Sequence, residues 1–307
     1  MKPFRKHVAL AVDGGGIRGT MVAKALAVVE AELGQPCSDL FQLSAGTSTG
    51  SIISAAIGAQ IPAVRMHELY VRLGGTIFRK SWRAYWPLAH YKYPNEPLVA
   101  ALRDTLGEGT MGEFWTEARK MDVVITVRDL VENRTRFVKP WKDEYRPWKV
   151  WHAVLCSCSV PTYFPVVDGR YVDGGVGAYT NPCYLAAYEA QMCLNWDPKD
   201  TTLISIGTGR VPGGLKKGEA SRFNPLQWVM PLIDTFIADA SDQQVRMVQQ
   251  FFPELDFRRF QVDLDPPIAL DDPAGIPALT RWGEKLGRMI LDDQVDPKTQ
   301  REAGVAR

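Results

Sequence analysis

Twice within its first sixty residues the chain runs from a short apolar stretch through a glycine-rich turn into a helix-forming stretch, and that repetition limits the folds open to it. His7 to Val12 alternates and branches like a buried strand. Glycines follow, and Thr20 to Leu33 then carries Met21, Val22, Ala25, Leu26, Val28, Val29 and Leu33 at helical spacing. Leu40 to Ser44 and Ser48 to Gln60 repeat the logic across Gly46-Thr47-Ser48-Thr49-Gly50. Further strands are predicted over Asp122 to Val127, Thr135 to Val138 and Thr201 to Ile206. Strands alternating with helices predict an α/β fold whose mainly parallel sheet is covered on both faces.

The chain has 307 residues, 46% of them hydrophobic, enough core for one large α/β domain with insertions. Lys and Arg total 36 against 35 Asp and Glu, a formal net charge of +1, so no global field gathers nucleic acid and any partner is recognised locally. Cys37, Cys156, Cys158, Cys183 and Cys193 are odd in number and lack C-x-x-C spacing, which points to a reduced, cytoplasmic setting. The apolar run after the basic N-terminus ends at Asp13, too early for a signal peptide. No stretch approaches the roughly 18 apolar residues of a membrane span. Between Arg79 and Pro94, Trp82, Tyr85, Trp86, Tyr91 and Tyr93 interleave with Arg79, Lys80, Arg83 and Lys92. That texture suits a peripheral contact with the inner face of a membrane, and equally an aromatic loop packed on the domain.

A G-x-S-x-G turn between strand and helix projects its serine hydroxyl out of the backbone, which nominates Ser48 as a nucleophile in need of a base. A Ser-His-Asp enzyme with the α/β-hydrolase order would place histidine late, yet the only histidines are His7, His67, His90 and His152. His152 sits in a predicted helix from Trp148 to Leu155 and reads as a packing or hydrogen-bonding residue. No serine is followed three positions later by lysine, and His67-Glu68 lacks a second histidine at 71, which is valine. The remaining base is a carboxylate, whose pKa rises toward the working range when it is desolvated. Asp173, in Tyr171-Val172-Asp173-Gly174-Gly175-Val176, is the best placed, since a short strand delivers it to a glycine turn. The same letters also fit an ordinary Asp-Gly turn such as Asp168-Gly169.

Asp13-Gly14-Gly15-Gly16-Ile17-Arg18-Gly19 contains G-x-G-x-x-G directly after a predicted strand, so a Rossmann-type dinucleotide-binding protein is a rival reading. Asp39, twenty residues beyond Gly19, would be its ribose-binding acid. The rival leaves the second glycine turn at Ser48 unexplained. Successive glycine amides at a helix start also make an anion-binding nest, which an acyl-transfer oxyanion requires.

Taken in order, Asp13 to Gly19, Gly46 to Gly50, Pro161-Thr162-Tyr163-Phe164-Pro165, and Asp173-Gly174-Gly175 with Asn181-Pro182 resemble the patatin-like phospholipase family. Ser157-Cys158-Ser159-Val160 resembles the family's small-residue run, though cysteine at 156 and 158 is less usual, and Leu203 to Gly209 fits its late core strand. The resemblance covers about residues 7 to 210. It implies a three-layer α/β/α sandwich with 1–210 as catalytic core, and 211–307 as a helical completion of the same domain or a regulatory extension. It implies an acyl hydrolase acting on glycerophospholipids or related esters, with Ser48 as nucleophile and Asp173 as general base. Gly14, Gly15 and Gly16 would form the oxyanion hole, supported by Arg18, Gly46, Gly50, Gly174 and Gly175, and no metal or cofactor is required. Some bacterial members of the family are membrane-degrading effectors switched on by a nucleotide, a role with which this chain is compatible. A catalytically silent lipid-binding protein is the remaining alternative.

Overall fold

Both faces of the first strand are buried, and they feed two different cores. The computed structural model describes residues 2–79, 90–211, 215–224 and 240–299. In β1 (His7–Val12), Val8, Leu10 and Val12 enter one core while Ala9 and Ala11 enter the other. The two-residue period of a strand thus fills both sides of a covered sheet with apolar side chains.

The sheet follows the order β4-β3-β2-β1-β6-β7. Its strands are β1, β2 (Leu43–Gly46), β3 (Asp122–Asp129), β4 (Arg134–Val138), β5 (Tyr171–Asp173), β6 (Thr201–Ile206) and β7 (Asp256–Phe260). Strands β3, β2, β1, β6 and β7 are parallel, and β4 and β5 both pair antiparallel with β3. On the Val8 face lie α1 (Gly19–Leu33), α3 (Thr49–Gly58), α4 (Ala63–Ile77), α5 (Glu96–Leu106), α6 (Val150–Cys158) and α9 (Ile276–Leu291). On the Ala9 face lie α7 (Cys183–Tyr188) and α8, described over 240–251. The result is the three-layer α/β/α arrangement with a mostly parallel sheet that the motif order implied.

Two departures from the sequence reading matter. The second strand begins at Leu43, not Leu40, because Cys37–Leu40 forms a helical turn, α2, ahead of it. The last strand of the sheet comes from beyond residue 210: β7 pairs with β6 along its whole length, and α9 packs against α1.

The register around β3 places the site. Val127 pairs with Arg136 of β4 on one edge and with Asp173 of β5 on the other. Gly46, the last residue of β2, pairs with Ile125 on the edge away from β4. Strands β2 and β5 therefore lie end to end along the same edge of β3, and the chain leaving β2 meets the chain leaving β5.

Candidate active site

The two glycine turns emerge side by side at the carboxyl ends of the adjacent parallel strands β1 and β2. The β2–α3 turn presents Ser48 with φ 55 and ψ −124, a positive φ on a residue bearing Cβ. That conformation costs about 1–3 kcal/mol and persists only where surroundings over-determine it.

The surroundings do so here. The Ser48 amide donates to Ser157 Oγ at 2.9 Å, and Ser51 Oγ donates to the Ser48 carbonyl at 2.6 Å. The Thr47 hydroxyl shares a 2.7 Å hydrogen bond with Thr126 Oγ1 and donates to the Tyr179 carbonyl. A Cβ on Gly50 would lie 2.2 Å from the Val12 carbonyl oxygen, so the turn closes only with glycine there. Helix α3 then runs on with all ten residues buried, aiming the positive end of its dipole at Ser48.

Asp173 ends β5, and its amide donates to the Ser159 carbonyl at 3.0 Å. Its Oδ1 accepts the Gly175 amide at 2.7 Å, while Oδ2 is buried without a hydrogen bond of good geometry. Burial raises the carboxyl to about 6, against the pull of hydrogen bonds from the Ser48 hydroxyl and the Gly175 amide. Ser48 is 7% exposed and Asp173 4%, so the pair is shielded from bulk water. One segment therefore braces both residues: Ser157 holds Ser48 and Ser159 holds Asp173. The sequence singled out 157–160 only as a small-residue run; the signal available was two serines just beyond the end of a predicted helix.

The first glycine turn lies against this pair, a Cβ on Gly14 falling 3.3 Å from Ser48 Cβ. Of the three amides expected to form an oxyanion hole, that of Gly14 is already engaged. The Gly14 amide donates to the Thr180 carbonyl at 2.8 Å and ties the loop to the Asp173 side, whereas the Gly15 and Gly16 amides have no protein acceptor among the described residues. Thr208, after β6, donates to the Gly14 carbonyl at 2.6 Å, a contact the sequence did not suggest. Arg18 backs the loop, donating from Nε to the Ile268 carbonyl at 2.7 Å. Of the other glycines named from sequence, Gly46 ends β2, and Gly174 and Gly175 begin the turn after Asp173.

The two Asp-Gly pairs part company. Asp168 is well exposed and bonds His152 Nε2 at 2.8 Å, in a nest of rings from Trp148 and Trp151. His7 stacks on Trp196, and His67 bonds Thr280. Among the described residues no histidine bonds Ser48 or Asp173. The dinucleotide reading fails on position: Asp39 is exposed on α2, ahead of β2, at the end of the sheet opposite the glycine turns. All five cysteines are free.

Most of the aromatic-basic stretch, residues 80–89 with Trp82, Tyr85 and Trp86, lies outside the described residues. In its described end His90 is exposed and Tyr93 turns inward. Tyr93 is fully buried with its hydroxyl donating to Asp271 at 2.9 Å, and Lys92 Nζ stands 4.2 Å over the Tyr163 ring. Among the described residues no helix is long and apolar enough to cross a membrane.

Comparison with known proteins gives this geometry relatives. The chain is 29% identical over 217 residues to an "Intracellular phospholipase A2" of Caenorhabditis elegans, covering 66% of this chain but only 19% of the worm protein. It is 27% identical over 272 residues to a "cGAMP-activated phospholipase" of Pseudomonas aeruginosa (strain BWHPSA011 / Pa011), covering 84% of this chain and 78% of that one. Among solved structures, VipD from Legionella pneumophila aligns over 94% of this chain and 67% of its own, with a TM-score of 0.47 and 12% identity. The sequence model of the patatin-like phospholipases matches residues 10–187, which spans both glycine turns and Asp173. The chain belongs to the patatin-like phospholipase family.

Proposed function

We propose that this chain is a serine acyl hydrolase of phospholipase A type that cleaves fatty-acyl esters of glycerophospholipids. One observation carries the reading: Asp173, the carboxyl that the sheet register brings to Ser48, is buried, raised to about 6, and has an oxygen without a well-made hydrogen bond among the described residues. Such a group is ionised at neutral pH yet basic enough to accept the serine proton.

In this mechanism Asp173 takes the proton as Ser48 Oγ bonds to the ester carbonyl carbon. The carbonyl oxygen becomes an oxyanion and accepts hydrogen bonds from the Gly15 and Gly16 amides, near the positive end of α3. Collapse breaks the bond to the alcohol, which takes the proton from Asp173 and leaves as lysophospholipid. Water, deprotonated by Asp173, attacks the acyl-serine, and the fatty acid departs as the proton returns to Ser48. Fatty-acid release from defined phospholipids by the wild type, Ser48→Ala and Asp173→Asn tests the reading. Loss of at least ~10³-fold in both variants is expected. Wild-type rates in both would overturn it, and lipid association without turnover in the wild type would make the chain a lipid-binding protein.

The finer reading is a membrane-degrading effector under nucleotide control, supported by the name of the Pseudomonas relative and by the length over which the two chains align. Release from vesicles with and without cyclic dinucleotides, cGAMP among them, decides it: unchanged turnover removes nucleotide control and leaves the hydrolase. Trp82 and Trp86 remain the aromatic candidates for vesicle contact, and a double alanine variant with undiminished co-sedimentation would exclude them.

A further inference from the structure

The glycine loop after β1 is held from behind by residues that follow position 187, beyond the stretch the family model matches. Asp13, at its root, is buried, and its carboxylate accepts a two-pronged hydrogen bond from Arg259. Nη1 reaches Oδ1 at 2.7 Å and Nη2 reaches Oδ2 at 2.5 Å. Nη1 also donates to Ser205 Oγ at 2.8 Å, from the residue directly across the β6–β7 ladder. Arg259 is only 3% exposed. The Asp13 amide is fixed as well, donating to the Ile206 carbonyl at 3.1 Å.

At the other end of the loop the Ile17 amide donates to the Leu270 carbonyl at 2.8 Å. That carbonyl also occupies the space of a Gly16 side chain, 2.4 Å from where its Cβ would stand, at a residue with φ of +55. Gly15 and Gly16, whose amides have no acceptor among the described residues, are thus suspended between an anchored Asp13 and an anchored Ile17.

A buried ion pair is a poor device for stability, because desolvating both charges offsets most of their attraction. It is a good device for geometry. A planar guanidinium meeting a carboxylate by two parallel bonds fixes orientation as well as distance, which a lysine cannot do. We propose that Arg259 is a positioning residue for acyl transfer, holding the Gly15 and Gly16 amides at Ser48 through Asp13. The proposal rests on the hydrolase reading of Ser48 and Asp173 above.

The test compares the wild type, Arg259→Lys, and the doubly neutral Asp13→Asn/Arg259→Met, all as full-length chains. Turnover of a soluble fatty-acyl ester and thermal melting are measured for each. The double variant strands no buried charge, so its melting is expected to stay near wild type while kcat falls at least tenfold and KM stays within about twofold. Arg259→Lys, with charge but no fork, is expected to melt normally and lose several-fold in kcat. A double variant that melts normally and turns over at the wild-type kcat overturns the proposal. If the double variant does not fold, Arg259→Lys decides alone, and wild-type kcat in that variant overturns it equally. Wild-type chain without Ser48-dependent turnover would instead sink the hydrolase reading itself.

Discussion

The Ser157 hydroxyl accepts the Ser48 amide at 2.9 Å, holding Ser48 in a backbone conformation that a serine does not otherwise favour. Ser157→Ala removes the acceptor and leaves a buried N–H unsatisfied. A stability loss of about 1–3 kcal/mol in urea unfolding is expected. Misplacement of Ser48 should lower kcat by about 10–10²-fold with KM little changed. A variant as active as the wild type would show that the turn holds itself.

In the proposed mechanism Asp173 must be ionised to act as a base, and its carboxyl is raised to about 6. The wild-type kcat/KM is therefore expected to climb about tenfold per pH unit below 6 and to level off above 7. An inflection near 4, or one above 8, would assign the base elsewhere.

The same shift carries a stability consequence of opposite sense. The folded value near 6 lies above the ordinary 3.8, so the folded protein binds this proton more tightly than the unfolded chain does. That contribution is fully present below about pH 4 and is lost as pH rises through 6, amounting to about 3 kcal/mol. Asp173→Asn keeps an oxygen for the Gly175 amide and carries no charge. It should be inactive yet more stable than the wild type at pH 8, with the advantage vanishing at pH 4. Urea midpoints at the two pH values measure this, and an equal difference at both would refute the buried charge.

Two glycine variants separate the loop's chemistry from general backbone effects. A Cβ on Gly15 would stand 2.3 Å from Thr208 Oγ1, so Gly15→Ala must shift the loop, and a loss of about 10²-fold in kcat is expected. Gly34 ends α1 with φ 65 and nothing within 4 Å of its missing Cβ. Gly34→Ala should cost about 1 kcal/mol in stability and leave kcat unchanged. Equal effects of the two on turnover would detach the Asp13–Gly19 loop from catalysis.

The parts of this molecule that the sequence disclosed are those written in local pattern. The strand before each glycine turn, the helix after it, and the serine and aspartate at the turns are all short-range signals. Arg259 could not be picked from among the arginines, because its meaning lies in a ladder with β6 and a contact with Asp13, 246 residues away. Nor did the count of loop amides reveal that Gly14 donates to Thr180, since a hydrogen-bond partner in another loop leaves no trace in spacing. Leu40 and Phe41 looked like strand because they are apolar, yet Leu40 ends a helical turn and Phe41 caps it, both buried. Tyr93 shared its aromatic-basic texture with a surface but spends it on Asp271 and a cluster of rings.

The end-to-end seating of β2 and β5 along one edge of β3 makes the meeting of Ser48 and Asp173 depend on a single register. A slip of β5 by a single residue would turn Asp173 to the opposite face of the sheet and leave Ser48 without it. On the proposed mechanism, a fragment or a misregistered refolding product would carry every motif and still hydrolyse nothing, because the serine and the carboxyl would sit on opposite faces of the sheet.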